Sequence, residues 1–411
     1  MDKRFGLFVH FGVYAIKGVQ EQEIYRKGVP RAEYEKYADI FNPSEFDPDE
    51  WIAAAKDAGM EYMVFTTKHL DGFSMWDTAY SEFKITNTPY GKDFLRLLAD
   101  ACHRHNFPLE LYYCIVDDHH PAYPHQGRAY EMIHPVEGDI PELSLYLDYV
   151  KNQIRELCEN YGEIHGIWWD ANIPEVYDEG FNNMIRRLQP KAVINGRGFD
   201  EGDYSTPERE YNEEEIKAKR RFEKPTEACQ AVGMHSWGFR FEEDYYSSKY
   251  LMRCIDRALS MGGNYLLNVG PMADGRFPEE SLKLLTIIGA WYKTVRESYY
   301  GAEPVSDITA DRDIFVTVKG KDVYVHLNAD PIGDSVELKG FTLLPGSASL
   351  LNDGRELIVK RDMGNRDWQH MIEDVRIRRL PVEEYNGSVM VVKLVYDELP
   401  SGIKNELSNR I

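Results

Sequence analysis

The stretch EIHGIWWDA (163–171) is apolar through Ile167, Trp168 and Trp169 and then closes on an acid, Asp170. A strand buried on both faces reads as a near-continuous apolar run of this kind, whereas a half-exposed strand alternates. The same signature returns at FGLFVHFG (5–12), EYMVFTTKH (61–69), PLELYYCIV (108–116), KAVINGRG (191–198) and NYLLNVGP (264–271). Helical patterns lie between these runs. Before WIAAAKDAG, Asp47 is an N-cap, Pro48 a first-turn proline and Glu50 an N3 acid, and Gly59 can end the helix. Phe94, Leu95, Leu98, Ala101 and Cys102 fall on one helical face, as do Leu143, Leu147, Val150, Ile154 and Leu157. Strands alternating with helices imply a parallel sheet. The number of repeats predicts a closed (β/α)8-like TIM barrel over residues 1–302.

After residue 302 the period changes. IFVTVKGKDVYVHLN reads as two strands around a Lys319–Gly320–Lys321–Asp322 turn, and DSVELKG, SASLL and SVMVVKLVYD follow without strong helical segments. Residues 303–411 therefore read as an antiparallel β-sandwich.

Composition bounds the function. A formal net charge of −21 repels phosphate backbones, which argues against nucleic acid and anionic membranes as partners. No run reaches the ~18 apolar residues of a membrane span. The five cysteines, Cys102, Cys114, Cys158, Cys229 and Cys254, are odd in number and lack metal-ligand spacing. With no apolar signal core at the N-terminus, this predicts a reduced, cytoplasmic protein.

In a barrel of this type the site lies at the carboxyl ends of the strands. His10 and His69 end the first two strands, Tyr113 and then His119–His120 follow the third, Asp170 ends the fourth and Arg197 ends VINGR. One strand-end polar residue is commonplace, but five or six together point to a site. Asp170 follows bulky rings, and Arg197 on a neighbouring strand could supply a cation; those two alone fit a structural Asp–Arg pair as well as catalysis. Hydrolysis at a glycosidic carbon needs a second carboxyl group, and GDYSTPERE (202–210) offers Asp203, Glu208 and Glu210. His119, His120 and His125 lack the spacing and partners of a metal site. GGNYLLNVGPMADG (262–275) fits neither dinucleotide nor P-loop patterns, and no Ser or Cys sits in a nucleophile elbow.

FGLFVHFG, TTKHLDGFSMWDT, LYYCIVDDHHPAY, GIWWDAN, INGRG with GDYSTPE, and SMGGNYLLNVGPMADG occur in that order. Over about residues 4–300 the chain resembles glycoside hydrolase family 29, the α-L-fucosidases. The resemblance implies a retaining exo-glycosidase with Asp170 as nucleophile and Glu208 as acid/base. It implies His10, Glu23, His69, Tyr113, Arg197 and Trp237 around the sugar, a fucosylated oligosaccharide or glycoside as substrate, and no metal or organic cofactor. Leu70 stands where the family usually has a second histidine, and Ile24 where it usually has Trp. Those two departures leave open a related L-sugar such as α-L-galactose, or a catalytically silent sugar-binding protein.

Overall fold

The computed structural model describes residues 3–128, 131, 135–173, 175–209, 220–309, 311–338, 341, 343–363 and 373–408. Its first unit is a seven-stranded parallel sheet. The strands are β1 (Phe5–Val9), β2 (Met63–Lys68), β3 (Leu109–Cys114), β4 (Gly166–Asp170), β5 (Val193–Ile194), β6 (Glu227–Ala231) and β7 (Asn264–Val269), in the spatial order β5-β4-β3-β2-β1-β7-β6. The two edges, β5 and β6, do not pair with each other. Between them runs segment 204–208, held by single parallel bridges from Asn195 to Tyr204, Ser205 to Thr226, and Glu208 to Cys229. This segment takes the eighth position of the barrel, and it carries Glu208.

Two one-turn helices, α1 (Glu23–Arg26) and α2 (Arg31–Tyr34), lie in the loop after β1, and α3 (Pro48–Asp57), α4 (Phe94–Arg104), α5 (Leu143–Asn160), α6 (Glu179–Leu188), α7 (Ser248–Ser260) and α8 (Glu279–Val295) cover the outer surface. Local chemistry starts them where the sequence predicts. The Asp47 side chain accepts from Asp49 N at 2.8 Å at the head of α3, and Asp93 accepts from Arg96 N at 2.9 Å at the head of α4.

Alternation along β3 and β4 decides what faces the barrel axis. The register pairs Tyr112 with Trp168, Tyr113 with Trp169, and Cys114 with Asp170. Trp169 points out, donating to Asn182 Oδ1 of α6 at 3.0 Å, and Tyr113 points out, donating to Gln153 Oε1 of α5 at 2.8 Å. Trp168 points in, and its indole N–H donates to Glu227 Oε1 at 3.1 Å. Glu227 also accepts from the Tyr62 hydroxyl, and Glu110 accepts from the Tyr204 hydroxyl at 3.1 Å. Burial pushes the Glu227 carboxyl up to about 7 and the Glu110 carboxyl well above the usual range.

The second unit opens with β8 (Glu303–Pro304), β9 (Ile314–Lys319) and β10 (Asp322–Leu327). It continues with β11 (Ser335–Leu338), β12 (Ser347–Leu350), β13 (Ile358–Met363), β14 (Glu373–Arg378) and β15 (Met390–Val395). They form a five-stranded sheet, β12-β15-β10-β9-β8, and a three-stranded sheet, β11-β14-β13. The β9–β10 turn falls where the sequence predicts it, with Gly320 at φ 62°, a conformation that a Cβ would strain. A terminal helix, α9 (Ser401–Ser408), seats Ile403 in the core of this unit. The sequence reading found neither α9 nor β13 and β14: the helix is short, and IVKRDM and EDVRIR are too charged to read as apolar runs.

One buried polar cluster fastens the two units. Asp256 Oδ1 of α7 meets His326 Nδ1 of β10 at 2.7 Å and accepts from Tyr299 at 2.8 Å, while Asn328 donates to its Oδ2 at 2.8 Å. His326 Nε2 faces Thr317 Oγ1 at 3.1 Å, and that hydroxyl donates to Ser298 O at 2.7 Å. Asp256→Ala strands several buried polar groups together. We expect a loss of about 3 kcal/mol in stability, read from denaturant unfolding, whereas a loss below about 1 kcal/mol would mean that apolar packing alone joins the units.

Candidate active site

At the carboxyl end of the sheet a narrow cavity is lined by Phe8, His10, Gln22, His69, Tyr112, Trp168, Asp170, Glu208 and Trp237. Asp170 reaches it because it shares the inward face of β4 with Trp168. The Tyr112 hydroxyl donates to Asp170 Oδ2 at 2.8 Å, and Arg197 Nη1 donates to Asp170 Oδ1 at 3.0 Å. The same nitrogen donates to Glu208 Oε1 over a shorter distance. The two carboxylate oxygens therefore stand no farther apart than twice the longer contact of 3.0 Å, an upper bound of about 6 Å.

Arg197 is itself fixed. Its Nε donates to Thr206 Oγ1, its Nη2 to Thr206 O, and its guanidinium lies over the Trp168 ring at 5.1 Å. Burial, reinforced by the neighbouring Asp170, outweighs the Arg197 cation and pushes the Glu208 carboxyl up to about 7. Half-exposed, the Glu208 side chain is open to a leaving group and to water, at 33% accessibility.

The histidines are held neutral. Burial lowers His10 well below the usual imidazole range and lowers His69 also. Asn268 Nδ2 donates to Trp237 O at 2.7 Å, which turns Asn268 Oδ1 towards His10 Nδ1 at 2.6 Å. His10 thus carries its proton on Nδ1 and keeps Nε2 as an acceptor. The His69 ring stacks on Tyr112 with centroids 5.7 Å apart, and the His10 ring stacks on Trp237 at 5.3 Å. His69 Nδ1 is buried and has no hydrogen-bond partner among the described residues.

Of the residues expected around a sugar, His10, His69 and Trp237 line the cavity and Arg197 binds both of its acids. Two do not reach it. Tyr113 lies on the outer face of β3, bonded to Gln153, because neighbours on a strand point opposite ways; Tyr112 is the tyrosine in the site. Glu23 opens α1 and turns towards Tyr37, whose hydroxyl lies 3.5 Å from its Oε1. Gln22 lines the cavity instead, and Glu21 holds the loop that carries Trp237. Glu21 Oε2 accepts from Ser236 Oγ at 2.8 Å, Trp237 N at 2.9 Å and Gly238 N at 3.2 Å. Leu70 and Ile24 are both buried in the core rather than on the cavity wall.

The rival acids are engaged elsewhere. Asp203 is bound by Arg186 at 2.6 Å and by Ile194 N at 2.9 Å, and Glu227 lies beneath Trp168. Glu210 lies outside the described residues. His119 pairs with Glu35 at 2.9 Å, His120 packs on Tyr149, and no group of three or more His, Cys, Asp or Glu among the described residues is arranged to hold a metal ion.

Two carboxyl groups sharing one cation, at the carboxyl-terminal mouth of a parallel α/β barrel, meet the two-acid requirement of a glycoside hydrolase. Comparison with known proteins gives the family. The α-L-fucosidase family profile matches residues 1–297. α-L-fucosidase isoenzyme 1 from Paenibacillus thiaminolyticus is 32% identical, covers 97% of each chain and superposes with a TM-score of 0.82. A family 29 α-L-fucosidase from Bacteroides thetaiotaomicron, captured as a trapped covalent intermediate with 2-fluoro-fucosyl fluoride, is 25% identical with a TM-score of 0.77 and covers 96% of this chain and 94% of that one. Human tissue α-L-fucosidase is 26% identical over 358 residues, 79% of this chain and 73% of that one. The chain belongs to the α-L-fucosidase family.

Tyr112→Phe removes the hydroxyl that orients Asp170, and we expect kcat/KM on 4-nitrophenyl α-L-fucoside to fall by roughly tenfold, the worth of one charge-assisted hydrogen bond. Tyr113→Phe is expected to change unfolding but not turnover. The opposite pattern would return Tyr113 to the site.

Proposed function

We propose that the protein is a retaining exo-α-L-fucosidase in which Asp170 is the nucleophile and Glu208 the acid/base. The assignment rests on the single Arg197 nitrogen shared by both carboxylates. Retaining pairs stand about 5–5.5 Å apart and inverting pairs about 6.5–9.5 Å, because the latter need room for a water. Facing oxygens within about 6 Å are compatible with the retaining geometry, and the trapped covalent intermediate of the Bacteroides thetaiotaomicron relative supports it.

Asp170 attacks the anomeric carbon while the departing glycosidic oxygen takes the proton of Glu208. The bond to the aglycone breaks and an ester to Asp170 forms. Glu208, now a carboxylate, takes a proton from water; the water oxygen attacks the anomeric carbon and the ester bond breaks, restoring both acids. The trapped intermediate of the Bacteroides thetaiotaomicron relative is the kind of species this route requires. Neutral His10 offers an acceptor to a sugar hydroxyl, and His69 Nδ1 is a further polar partner. Trp237 presents a ring face suited to the C5 methyl group, which distinguishes fucose from sugars bearing a hydroxymethyl there. A cavity closed by rings on several sides suits one terminal residue, hence exo action. All five cysteines are free and buried, which supports a reducing, cytoplasmic setting.

The roles are tested with azide. Glu208→Ala is expected to lose roughly 10²–10⁴-fold on alkyl α-L-fucosides, much less on activated aryl fucosides, and to form the α-azide. Asp170→Ala is expected to lose roughly 10³-fold or more on every substrate and to form the β-azide. Exchange of the two azide products would reverse the assignment. Nitrophenyl α-L-fucoside should outrun the α-L-galactoside, and a large preference for the galactoside would overturn the glycone.

Glu208 must start protonated. Its carboxyl is raised to about 7, so the acid form prevails below that pH and is lost as pH rises through it. The kcat/KM profile should therefore fall on the alkaline side from near 7, and a limb that stays flat to pH 9 would exclude Glu208 as the proton donor.

A further inference from the structure

Arg209 directly follows the acid/base and has no part in the displacement. Its placement is unusual in three ways. Its backbone is left-handed, with φ 45°, a conformation rare for a long side chain. Its side chain leaves the barrel segment and crosses to the loop that holds Trp237, where Nη1 donates to Met234 O at 2.7 Å and Nη2 to Ser236 O at 3.3 Å. Its guanidinium lies over the Trp237 ring at 4.6 Å. Meanwhile Arg209 N donates to Cys229 O at 3.2 Å, so its main chain is knitted into β6.

The far side of the same loop is gripped as well, by Glu21 on Ser236, Trp237 and Gly238. Beneath it Gly270 is so close that a Cβ there would lie 2.3 Å from the Gly238 carbonyl carbon. The loop is therefore fixed on Glu21 and β7 from one direction, and from the segment bearing Glu208 the Arg209 side chain reaches two of its carbonyls and its ring.

We propose that Arg209 is a positioning residue that locks Glu208 to the Trp237 wall, so that the surface bearing the glycone and the proton donor are held in one register. The proposal rests on the acid/base reading of Glu208. A fork with two carbonyl acceptors and a ring beneath it is a task for guanidinium and not for ammonium, which cannot span both acceptors in one plane. Displacing a proton donor by about an ångström costs on the order of 10²-fold, so a lock of this kind acts on rate rather than on folding. Electrostatics adds a second effect. Glu208 is faced by Asp170 and Tyr112 from β4 and β3, by Arg197, by Cys229 of β6 and by Arg209. Asp170 raises its carboxyl, and the Arg197 and Arg209 cations lower it.

The test compares Arg209→Met, Arg209→Lys and Glu208→Gln with the full-length wild type. The substrates are one alkyl and one activated aryl α-L-fucoside. Arg209→Met is expected to lose roughly 10- to 100-fold in kcat/KM on the alkyl substrate, far less on the aryl one, and to move the alkaline limb to higher pH. Arg209→Lys keeps the charge without the fork: it should keep the wild-type limb yet still lose on the alkyl substrate. Equal losses on both substrates, or a limb that does not move in Arg209→Met, would overturn the proposal when Glu208→Gln retains the leaving-group dependence. If Glu208→Gln lacks that dependence, the acid/base reading itself falls and takes this one with it. Should Arg209→Met not fold, the alkyl-specific loss in Arg209→Lys decides alone, and its absence overturns the lock.

Discussion

Two acids share one half-buried cavity, and Arg197 is the cation that stands between them. Two carboxylates about 5 Å apart at an effective dielectric near 20 repel by about 3 kcal/mol. One guanidinium nitrogen on both offsets part of that repulsion when both are ionised and also fixes their spacing. The arginine can do this because it cannot wander: Thr206 binds it twice and Trp168 lies beneath it. Trp168 is held in turn by Glu227, which also accepts from Tyr62. Orientation thus passes from the barrel interior to the ring, from the ring to the cation, and from the cation to both acids.

The two acids stand on supports of different kind. Asp170 ends β4, a strand paired to both β3 and β5, so its position follows from the sheet itself. Glu208 stands on segment 204–208, tied to the sheet edges by isolated bridges. A group that makes a covalent bond needs a fixed line of attack, and one that passes a proton to an oxygen and later takes one from water must be held where it meets both. The arrangement matches those tasks. It also makes the gap between β5 and β6 part of the site, since the piece that completes the barrel carries the proton donor.

Much of this was legible in the sequence, and the exceptions have physical causes. Apolar runs bounded by helical periodicity mark β1 to β5 and β7, and the acid at the end of GIWWD marks the nucleophile position. β6, EACQA, gives no apolar run because Glu227 and Gln230 interrupt it, although Glu227 is bonded inside the barrel and Gln230 is buried on the opposite face of the strand. The motif points to Tyr113 and the structure to Tyr112, and strand alternation decides between them. If Trp168 and Asp170 share the inward face of β4, their register partners on β3 must share it too, and those are Tyr112 and Cys114. Glu21 and Gln22 were not legible, because the stretch before α1 is irregular and no period says which of QEQE faces in. Arg209 carries no signal of any kind; its meaning comes only from the Trp237 loop, contributed by a distant part of the chain.

Backbone strain ties these threads together. Among the described residues, six other than glycine have left-handed φ, and two of them immediately follow the two acids: Ala171 at 51° and Arg209 at 45°. Each costs on the order of 1 kcal/mol relative to a right-handed residue. The cause is geometric. Asp170 O still accepts from Ile115 N at 2.9 Å, so the strand keeps its pairing through the last atom of the acid, and the chain can turn away only at residue 171. Likewise Glu208 is bridged to Cys229 and Arg209 N is bonded to Cys229 O, so the segment keeps its place in the barrel up to the acid and must turn at 209. Each acid is thereby carried to the last paired position of its backbone, on a strand for Asp170 and on an isolated bridge for Glu208, and is followed at once by a bend. Strain at these two positions is the cost of placing both carboxyl groups at the rim on paired backbone rather than on a free loop.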